Sequence, residues 1–208
     1  MYTRTVEPAT LELLKKIMSH PKLTDLVLVG GTSLALQLGQ RESVDLDLFG
    51  KFSLEAGELK SILESIGSLE IVHLDSKKAI NSCIIDNIKV DIVNYSYGWI
   101  KPIIVDEGVR LASLEDIAAM KLSAIGSRGT KKDFFDFYFL LQFFTIYEIV
   151  GFFKQKYQLS DVMHYILGLG YFEDADRDLD PIMFEPLAWE DVKARIVKEI
   201  QGLDFTRL

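Results

Sequence analysis

A short apolar segment that ends in two glycines constrains this chain more than any other feature. Residues 25–29 have the composition of a buried strand, and Gly30 and Gly31 follow directly. Residues 33–40 then show the pattern of a short helix, whose C-terminal end is predicted at Gly39. A strand, a Gly-Gly turn and a helix predict an anion-binding turn. Glycines let backbone N–H groups approach a phosphate, and the helix N-terminus adds its positive dipole end.

Two aspartates alternate with leucine shortly after this turn. Residues 43–49 alternate polar and apolar side chains, which predicts a strand with Asp45 and Asp47 on one face. Two carboxylates that project together repel each other unless they share a cation. Sites made of carboxylates suit magnesium or manganese. A solvated edge strand is the alternative explanation, and the upstream glycines favour the metal site.

A third carboxylate, Asp91, interrupts an apolar run at residues 88–93. A charge within such a strand is costly unless it has a partner. The partner is either a metal shared with the first two aspartates or a neighbouring lysine such as Lys89. Three carboxylates on adjacent strands below a Gly-Gly turn predict a two-metal site for in-line phosphoryl transfer.

The remaining patterns divide the chain into two parts. Strands are predicted at 69–74, 79–85 and 89–94, with a hairpin turn at Asp86-Asn87 between the last two. Helices are predicted at 9–20, 53–66 (with Ser53 as N-cap), 113–125, 131–143, 145–155, 160–168 and 189–201. We therefore expect a mixed α/β part at residues 1–110 and a helical region at residues 111–208 that packs on it.

Composition excludes several classes of protein. A net charge of −8 argues against a protein that coats nucleic acid non-specifically. Residues 161–208 hold 11 acidic and 5 basic residues, so the rest of the chain is nearly neutral and can present a local basic site. The single Cys83 excludes an intramolecular disulfide, and three histidines offer no Cys/His zinc site. Without a membrane-length apolar run or a signal peptide, we expect a cytoplasmic protein.

Residues 30–49 resemble the first signature of the AbiEii/AbiGii toxin-type nucleotidyltransferases, a family of the polymerase-β-like nucleotidyltransferase superfamily. Residues 116–136 resemble that family's second signature, and residues 171–175 and Trp189 extend the likeness over most of the chain. Gln40 departs from the family pattern, which often has His before the Arg. The resemblance implies an α+β fold: a polymerase-β-like head, with a mixed sheet and flanking helices, followed by a helical C-terminal half that completes the nucleotide site.

The resemblance also implies roles for the residues of the first signature. Nucleotide phosphates are expected at Gly30, Gly31, Thr32 and Ser33. Divalent metal, Mg²⁺ or Mn²⁺, is expected on Asp45 and Asp47. Asp91 matches the third carboxylate of the superfamily, which shares the metal and activates the attacking group.

In the second signature, Lys121 matches a helical lysine expected to neutralise triphosphate charge. We expect it to point towards Gly31, and Lys121→Ala to weaken NTP binding with the fold intact. Arg128, Lys132 and Asp133 match a motif near the nucleotide.

Asp133 and Asp136 also have structural explanations. Asp133 follows Thr130 at the spacing of a helix cap. Asp136 lies inside a Phe-rich run, where Lys132 or Arg128 can pair with it. The sequence leaves open whether these two aspartates are catalytic or structural.

The implied activity is metal-dependent transfer of a nucleoside monophosphate from an NTP to an acceptor. The enzyme is expected to be the toxin of a toxin–antitoxin pair, with a cognate antitoxin as partner, or a stand-alone relative. We expect an RNA acceptor, with a tRNA 3′ end favoured, because basic side chains are available around the site: Arg41, Lys121, Arg128, Lys131 and Lys132. The last three fall between two helices, where we expect them to reach phosphates without being buried. The alternative is a non-catalytic nucleotide-binding or interaction module that kept the fold.

Overall fold

Seven short strands form one mixed sheet in the computed structural model, which describes residues 1–75 and 79–207. In the described residues, the strands are β1 (Val27–Leu28), β2 (Leu46–Gly50), β3 (Leu69–His73), β4 (Ile80–Ile85), β5 (Ile88–Asn94), β6 (Ile104–Asp106) and β7 (Val109–Leu111). Their order across the sheet is β3-β4-β5-β2-β1-β7-β6. The pairs β2–β5 and β1–β7 are parallel and the other neighbours are antiparallel. The sheet, together with the helices below, confirms the expected α+β class.

Within residues 1–75 and 79–207, three helices accompany the sheet and five follow it. They are α1 (Pro8–Ser19), α2 (Gly30–Leu38), α3 (Ala56–Ile66), α4 (Leu114–Ser127), α5 (Lys131–Leu140), α6 (Ile146–Tyr157), α7 (Met163–Gly168) and α8 (Trp189–Gln201). None of the helices in the described part of the chain is long and apolar enough to cross a membrane.

The chain forms two compact units. The first contains residues Met1–Tyr97 and Ile103–Ala112, and the second contains Gly98–Pro102 and Ser113–Leu208. A buried cluster of Leu, Ile and Val side chains from α1, α3 and the strands forms the core of the first unit. Burial of this apolar surface is the main favourable contribution to its stability.

Local sequence explains most of the element boundaries. Pro8 is the first residue of α1, where its missing N–H is not needed. Gly39 ends α2 with a φ of 73°, a left-handed conformation that favours glycine. The β4–β5 turn at Asp86-Asn87 has φ values of 50° and 65°, as a tight hairpin requires.

The structure corrects three sequence-based boundaries and adds one hairpin. Helix α2 begins at Gly30 itself, so the glycines belong to its first turn and do not precede the helix. Strand β2 begins at Leu46, which leaves Asp45 just before it. The N-cap of α3 is Glu55 and not Ser53. The β6–β7 hairpin, which turns at Glu107-Gly108, was not predicted.

The second unit buries the Phe-rich face of α5. Phe134, Phe135 and Phe137 are at most 1% exposed, and the ring of Trp189 from α8 stacks on Phe135 at a centroid distance of 5.7 Å. Helices α4 and α7 approach closely at a pair of glycines. A Cβ added to Gly168 would lie 3.1 Å from the Cα of Gly126. These contacts confirm the prediction that the Phe-rich helix is buried.

A fully buried ion pair holds residues 98–102 within the second unit. Lys156 Nζ lies 2.6 Å from Asp116 Oδ1, and neither side chain is exposed. The backbone N–H groups of Ile100 and Lys101 donate to the same carboxylate. Burial lowers the pKa of Lys156 and outweighs the opposite effect of Asp116. Asp116 therefore joins α4 to a segment that lies 15 residues earlier in the chain.

Candidate active site

Two of the three predicted carboxylates lie opposite each other on neighbouring strands. The parallel register of β2 and β5 pairs Asp47 with Asp91. Paired residues on adjacent strands point to the same face, and the strands are about 5 Å apart. Both side chains are half-buried. The sheet therefore presents these two carboxylates side by side.

Asp45 lies two residues before Asp47, at the entry to β2, and is also half-buried. Its backbone carbonyl accepts a hydrogen bond from the Thr32 hydroxyl. All three carboxylates act on Lys89. The hydrogen bond to Asp91 and the charges of Asp91, Asp45 and Asp47 raise the pKa of the Lys89 ammonium above its usual range. Lys89 thus experiences the negative field of the whole group.

Asp91 has two direct partners. Its Oδ1 accepts a hydrogen bond from Ser82 Oγ at 2.6 Å, and its Oδ2 lies 2.9 Å from Lys89 Nζ. Ser82 stands opposite Asp91 on β4. The lysine partner considered from the sequence is therefore present.

Within residues 1–75 and 79–207, no group of three or more His, Cys, Asp and Glu side chains is arranged to hold a metal ion. The donor set nevertheless has the chemistry that Mg²⁺ and Mn²⁺ prefer, since it consists of carboxylate oxygens alone. Asp91 Oδ2 is in contact with the Lys89 ammonium. For all three carboxylates to bind one metal ion, Lys89 would have to move away from this oxygen.

The start of α2 lies against Asp47. The N–H of Val29 donates to the carbonyl of Asp47 at 2.9 Å, and Val29 offers no side-chain cap. The first backbone N–H groups of a helix have no intrahelical acceptor, so this end can receive an anion. Gly30 has a φ of 67°, and a Cβ on it would collide with Asp47 Oδ2. Only glycine fits between the helix and this carboxylate.

The hydroxyls of the next two residues point into the protein. Thr32 is bonded to the Asp45 carbonyl and to Ser43 Oγ, the latter at 2.8 Å. Ser33 is fully buried, and its Oγ accepts from Gln37 Nε2 at 3.2 Å. The backbone N–H of Ser33 donates to the Val29 carbonyl at 3.4 Å. Of these two residues, only Thr32 therefore keeps a backbone N–H for the predicted phosphate contact, and that contact stays a prediction.

A second charged group lies within the helical unit. Lys121 Nζ is 2.9 Å from Asp133 Oδ1 and 2.6 Å from Asp136 Oδ2, and all three side chains are almost fully buried. Asp136 is thus paired with Lys121, a partner that the sequence analysis did not name. Arg128 also contacts Asp133, through Nε at 3.0 Å.

Asp133 does not cap α5 with its carboxylate. The Thr130 hydroxyl donates to Asp133 Oδ2 at 2.7 Å, so this carboxylate accepts from one hydroxyl and two cations. Burial alone would raise the pKa of Asp133. Lys121, Arg128 and Thr130 outweigh it, and the pKa lies well below its usual range. The structural role of Asp133 is therefore to hold Lys121, Arg128 and Thr130 in one hydrogen-bonded ion-pair network. A direct role of Asp133 at the nucleotide stays a prediction.

The structure corrects the predicted accessibility of the basic residues. Lys131 is buried, and its Nζ binds Asp180 Oδ1 at 2.9 Å, so it does not reach outward as expected. Arg41 is also buried. Arg128 keeps 61% of its side chain exposed and Lys132 is exposed. These two residues retain the accessibility that a phosphate contact needs.

Two residues that bear on the site were missed or underused from sequence. Ser82 was not singled out, because nothing but the strand register places it opposite Asp91. Lys89 was considered only as a neutralising partner, whereas it lies in the field of all three carboxylates. Its position two residues before Asp91 on one strand was the available signal. The predicted approach of Lys121 to Gly31 stays a prediction.

Comparison with known proteins gives three findings. The model of the AbiEii family, described as a nucleotidyl transferase toxin of a type IV toxin–antitoxin system, matches residues 12–206. An uncharacterized protein from Aquifex aeolicus (strain VF5) is 32% identical over 207 residues, which cover 95% of this chain and 97% of that protein.

Two solved structures share the fold. JHP933 from Helicobacter pylori has a TM-score of 0.59 and 19% identity, with coverage of 94% of this chain and 92% of that one. MenT4, a nucleotidyltransferase toxin from Mycobacterium tuberculosis H37Rv, has a TM-score of 0.53 and 13% identity. Its alignment covers 96% of this chain and 84% of MenT4.

Proposed function

Because the chain belongs to the AbiEii family of nucleotidyl transferase toxins and is a nucleotidyltransferase, we propose that its acceptor is RNA and that Asp45, Asp47 and Asp91 hold the divalent metal. The observation that carries the proposed metal site is the register that pairs Asp47 with Asp91 on one face of the sheet. Two carboxylates placed side by side repel each other and favour a shared cation, a place that the Lys89 ammonium takes at Asp91 in this structure.

The residues around the pair support distinct tasks. The backbone N–H groups of Gly30, Gly31 and Thr32, at the start of α2, bind the triphosphate as an anion. Magnesium or manganese, when bound, neutralises the phosphate charge and polarises the phosphorus centre. Asp91 accepts the proton of the attacking hydroxyl at a carboxylate oxygen once Lys89 leaves it.

In the helical unit, we assign contacts with the phosphates of the RNA to Arg128 and Lys132, whose side chains are exposed. The Asp133 carboxylate holds the Arg128 guanidinium through Nε at 3.0 Å and Nη2 at 3.2 Å, which orients it. The Lys121 ammonium pairs with both Asp133 and Asp136 and compensates their negative charge. Its role towards the nucleotide remains part of the proposal.

The favoured acceptor is a tRNA 3′ end, and the family membership implies a cognate antitoxin as the biological counterpart. The exposed cations Arg128 and Lys132 support RNA, because phosphate contacts supply most of the affinity for nucleic acid. Such substrates would place the reaction in the cytoplasm.

The test is incubation of the protein with each α-labelled NTP, Mg²⁺ and either total RNA, purified tRNA or total protein. We expect the label to appear on tRNA. The rate of transfer should fall at least 100-fold in Asp91→Asn, since transition-state stabilisation through a metal ligand is worth several kcal/mol. Glu70→Gln, an exposed carboxylate on β3 of the same sheet, is the matched control and should transfer normally. Label on protein alone would overturn the RNA acceptor, and full activity of Asp91→Asn would overturn the site.

A second candidate function is nucleotide binding without transfer, and the Lys89–Asp91 ion pair favours it. A lysine on Asp91 neutralises that carboxylate without any metal. The same experiment separates the two functions. NTP binding by equilibrium dialysis, without label on any acceptor under any metal condition, would identify the binding module.

A further inference from the structure

The side chain of Thr32 connects the phosphate-binding end of α2 to the metal-binding aspartates. Its hydroxyl donates to the carbonyl of Asp45 and lies 2.8 Å from Ser43 Oγ. Thr32 is 1% exposed. From these contacts we infer that Thr32 is a positioning residue that fixes Asp45 for metal binding, an inference that rests on the proposed function.

The direction of the hydrogen bonds follows from the chemistry of a hydroxyl, which has one proton to donate. Thr32 gives that proton to the Asp45 carbonyl, so Ser43 is the donor in the contact between the two hydroxyls. The chain of bonds runs from Ser43 through Thr32 to Asp45. The hydroxyl of Thr32 has no second proton for a nucleotide phosphate, and this part of the residue acts on Asp45 alone.

Asp45 lies just outside the paired part of β2. Asp45 precedes Leu46, the first residue of β2 that pairs with β5, so the ladder between these strands begins only after it. The preceding residue with a long-range backbone bond is Ser43, whose N–H donates to Thr5 at 2.9 Å. Thr32 therefore fixes the chain between these two points, where the orientation of the carboxylate is set.

One turn of α2 contacts both Asp45 and Asp47. Val29 and Gly30 contact Asp47 through the 2.9 Å hydrogen bond and the close approach described above. Thr32 contacts Asp45 at the other side of the same turn. The helix end that receives the triphosphate thus also sets the spacing of the metal ligands. Loss of a partner that orients a metal ligand typically lowers metal affinity by roughly 10- to 100-fold.

The decisive variants are Thr32→Val, which keeps the shape and removes the hydroxyl, and Thr32→Ser, which keeps the hydroxyl. Thr10→Val is the matched control, because Thr10 is a buried threonine of α1 in the same unit. Mn²⁺ affinity is measured by electron paramagnetic resonance without nucleotide, and kcat and KM for the NTP are measured separately. Denaturant unfolding of each variant confirms that it is folded.

We expect Thr32→Val to weaken Mn²⁺ binding and lower kcat by roughly tenfold or more, with KM for the NTP within about threefold of wild type. Thr32→Ser restores both values and Thr10→Val leaves them unchanged. A raised KM with unchanged Mn²⁺ affinity would show a phosphate ligand instead and overturn the inference. Wild-type behaviour of Thr32→Val would overturn it as well.

If Thr32→Val is unfolded, Thr32→Ala decides the question, because it also removes the hydroxyl that donates to Asp45. Weaker Mn²⁺ binding by Thr32→Ala than by Thr32→Ser supports the inference, and equal binding by the two variants overturns it. The Mn²⁺ measurement is independent of transfer. If the wild-type protein transfers no nucleotide while Thr32→Val still loses Mn²⁺ affinity, the proposed function fails and the positioning role stands.

Discussion

The ammonium Nζ of Lys89 lies 2.9 Å from Asp91 Oδ2, two residues along the same strand. Lys89 keeps 55% of its side chain exposed, so it can leave Asp91 for solvent without a large rearrangement. The lysine therefore neutralises Asp91 in this structure, and under the proposed function a divalent cation would compete with it for this carboxylate.

Lys89→Met should tighten Mn²⁺ binding in the absence of nucleotide. The gain should be about 1 kcal/mol or roughly fivefold, the Coulomb energy of two unit charges at close range in water. Electron paramagnetic resonance of free Mn²⁺ measures it, with Lys60→Met on α3 as an exposed control. Unchanged or weaker Mn²⁺ binding by Lys89→Met would contradict competition between lysine and metal.

Gly30→Ala should lower both stability and nucleotidyl transfer. The added Cβ collides with Asp47 Oδ2, and the φ of 67° is unfavourable for alanine. Together these effects cost about 1–3 kcal/mol. Urea unfolding and the labelled-NTP assay measure the two losses.

Gly57→Ala is the control for this substitution. Gly57 lies in α3 with no neighbouring atom within 4 Å of an added Cβ. The free energy of unfolding of Gly57→Ala should equal that of wild type or exceed it by up to about 1 kcal/mol, because alanine is a better helix former than glycine. A neutral Gly30→Ala would show that Asp47 is not held against the helix.

Lys121→Met should destabilise the protein by about 3–5 kcal/mol, because it leaves two buried carboxylates without their shared cation. The sequence-based expectation that Lys121→Ala leaves the fold intact does not agree with this environment. Chemical denaturation checks the value, and Lys198→Met, an exposed lysine of α8, should change stability by at most about 0.5 kcal/mol. Adding Asp136→Asn to Lys121→Met should recover part of the loss.

Asp133 should make stability depend on pH in the acidic range. Its pKa is lower in the folded than in the unfolded protein, where a carboxyl protonates near pH 4. The stabilisation is therefore complete above about pH 4 and is lost as the pH falls towards the folded-state pKa. Between pH 5 and pH 2.5 the free energy of unfolding should fall more steeply for wild type than for Asp133→Asn. Asp191→Asn, an exposed carboxylate of α8, should follow wild type.

Sequence pattern predicted the elements that are long and periodic. The prediction of α8 at 189–201 matches the structure, and α4 and α6 differ by about two residues at their ends. It missed β6 and β7, since three-residue strands carry too few side chains to show alternation. It also placed the start of α2 too late, because Gly30 and Gly31 are poor helix formers, and the close approach of Gly30 to Asp47 cannot be seen in the sequence.

The chemistry of the site was easier to predict from sequence than its connections. The three aspartates stand out by type and spacing, whereas their partners come from elsewhere in the chain. Ser82 meets Asp91 only through strand register. Lys131 is buried because Asp178 and Asp180, almost 50 residues later, bind it. Local patterns carry no information on such contacts, so accessibility at Lys131 was predicted wrongly.

The first unit consists of two separate stretches of the chain, and this limits how the protein can be divided into fragments. Strand β7 pairs with β1 and follows residues 98–102, which belong to the other unit. A nascent chain that has emerged from the ribosome to Tyr97 therefore lacks two strands of the sheet, and the side of β1 that pairs with β7 is still without its neighbour. Fragments for expression should end after Ala112, and even these release residues 98–102 from Asp116. Neither unit is a contiguous genetic segment.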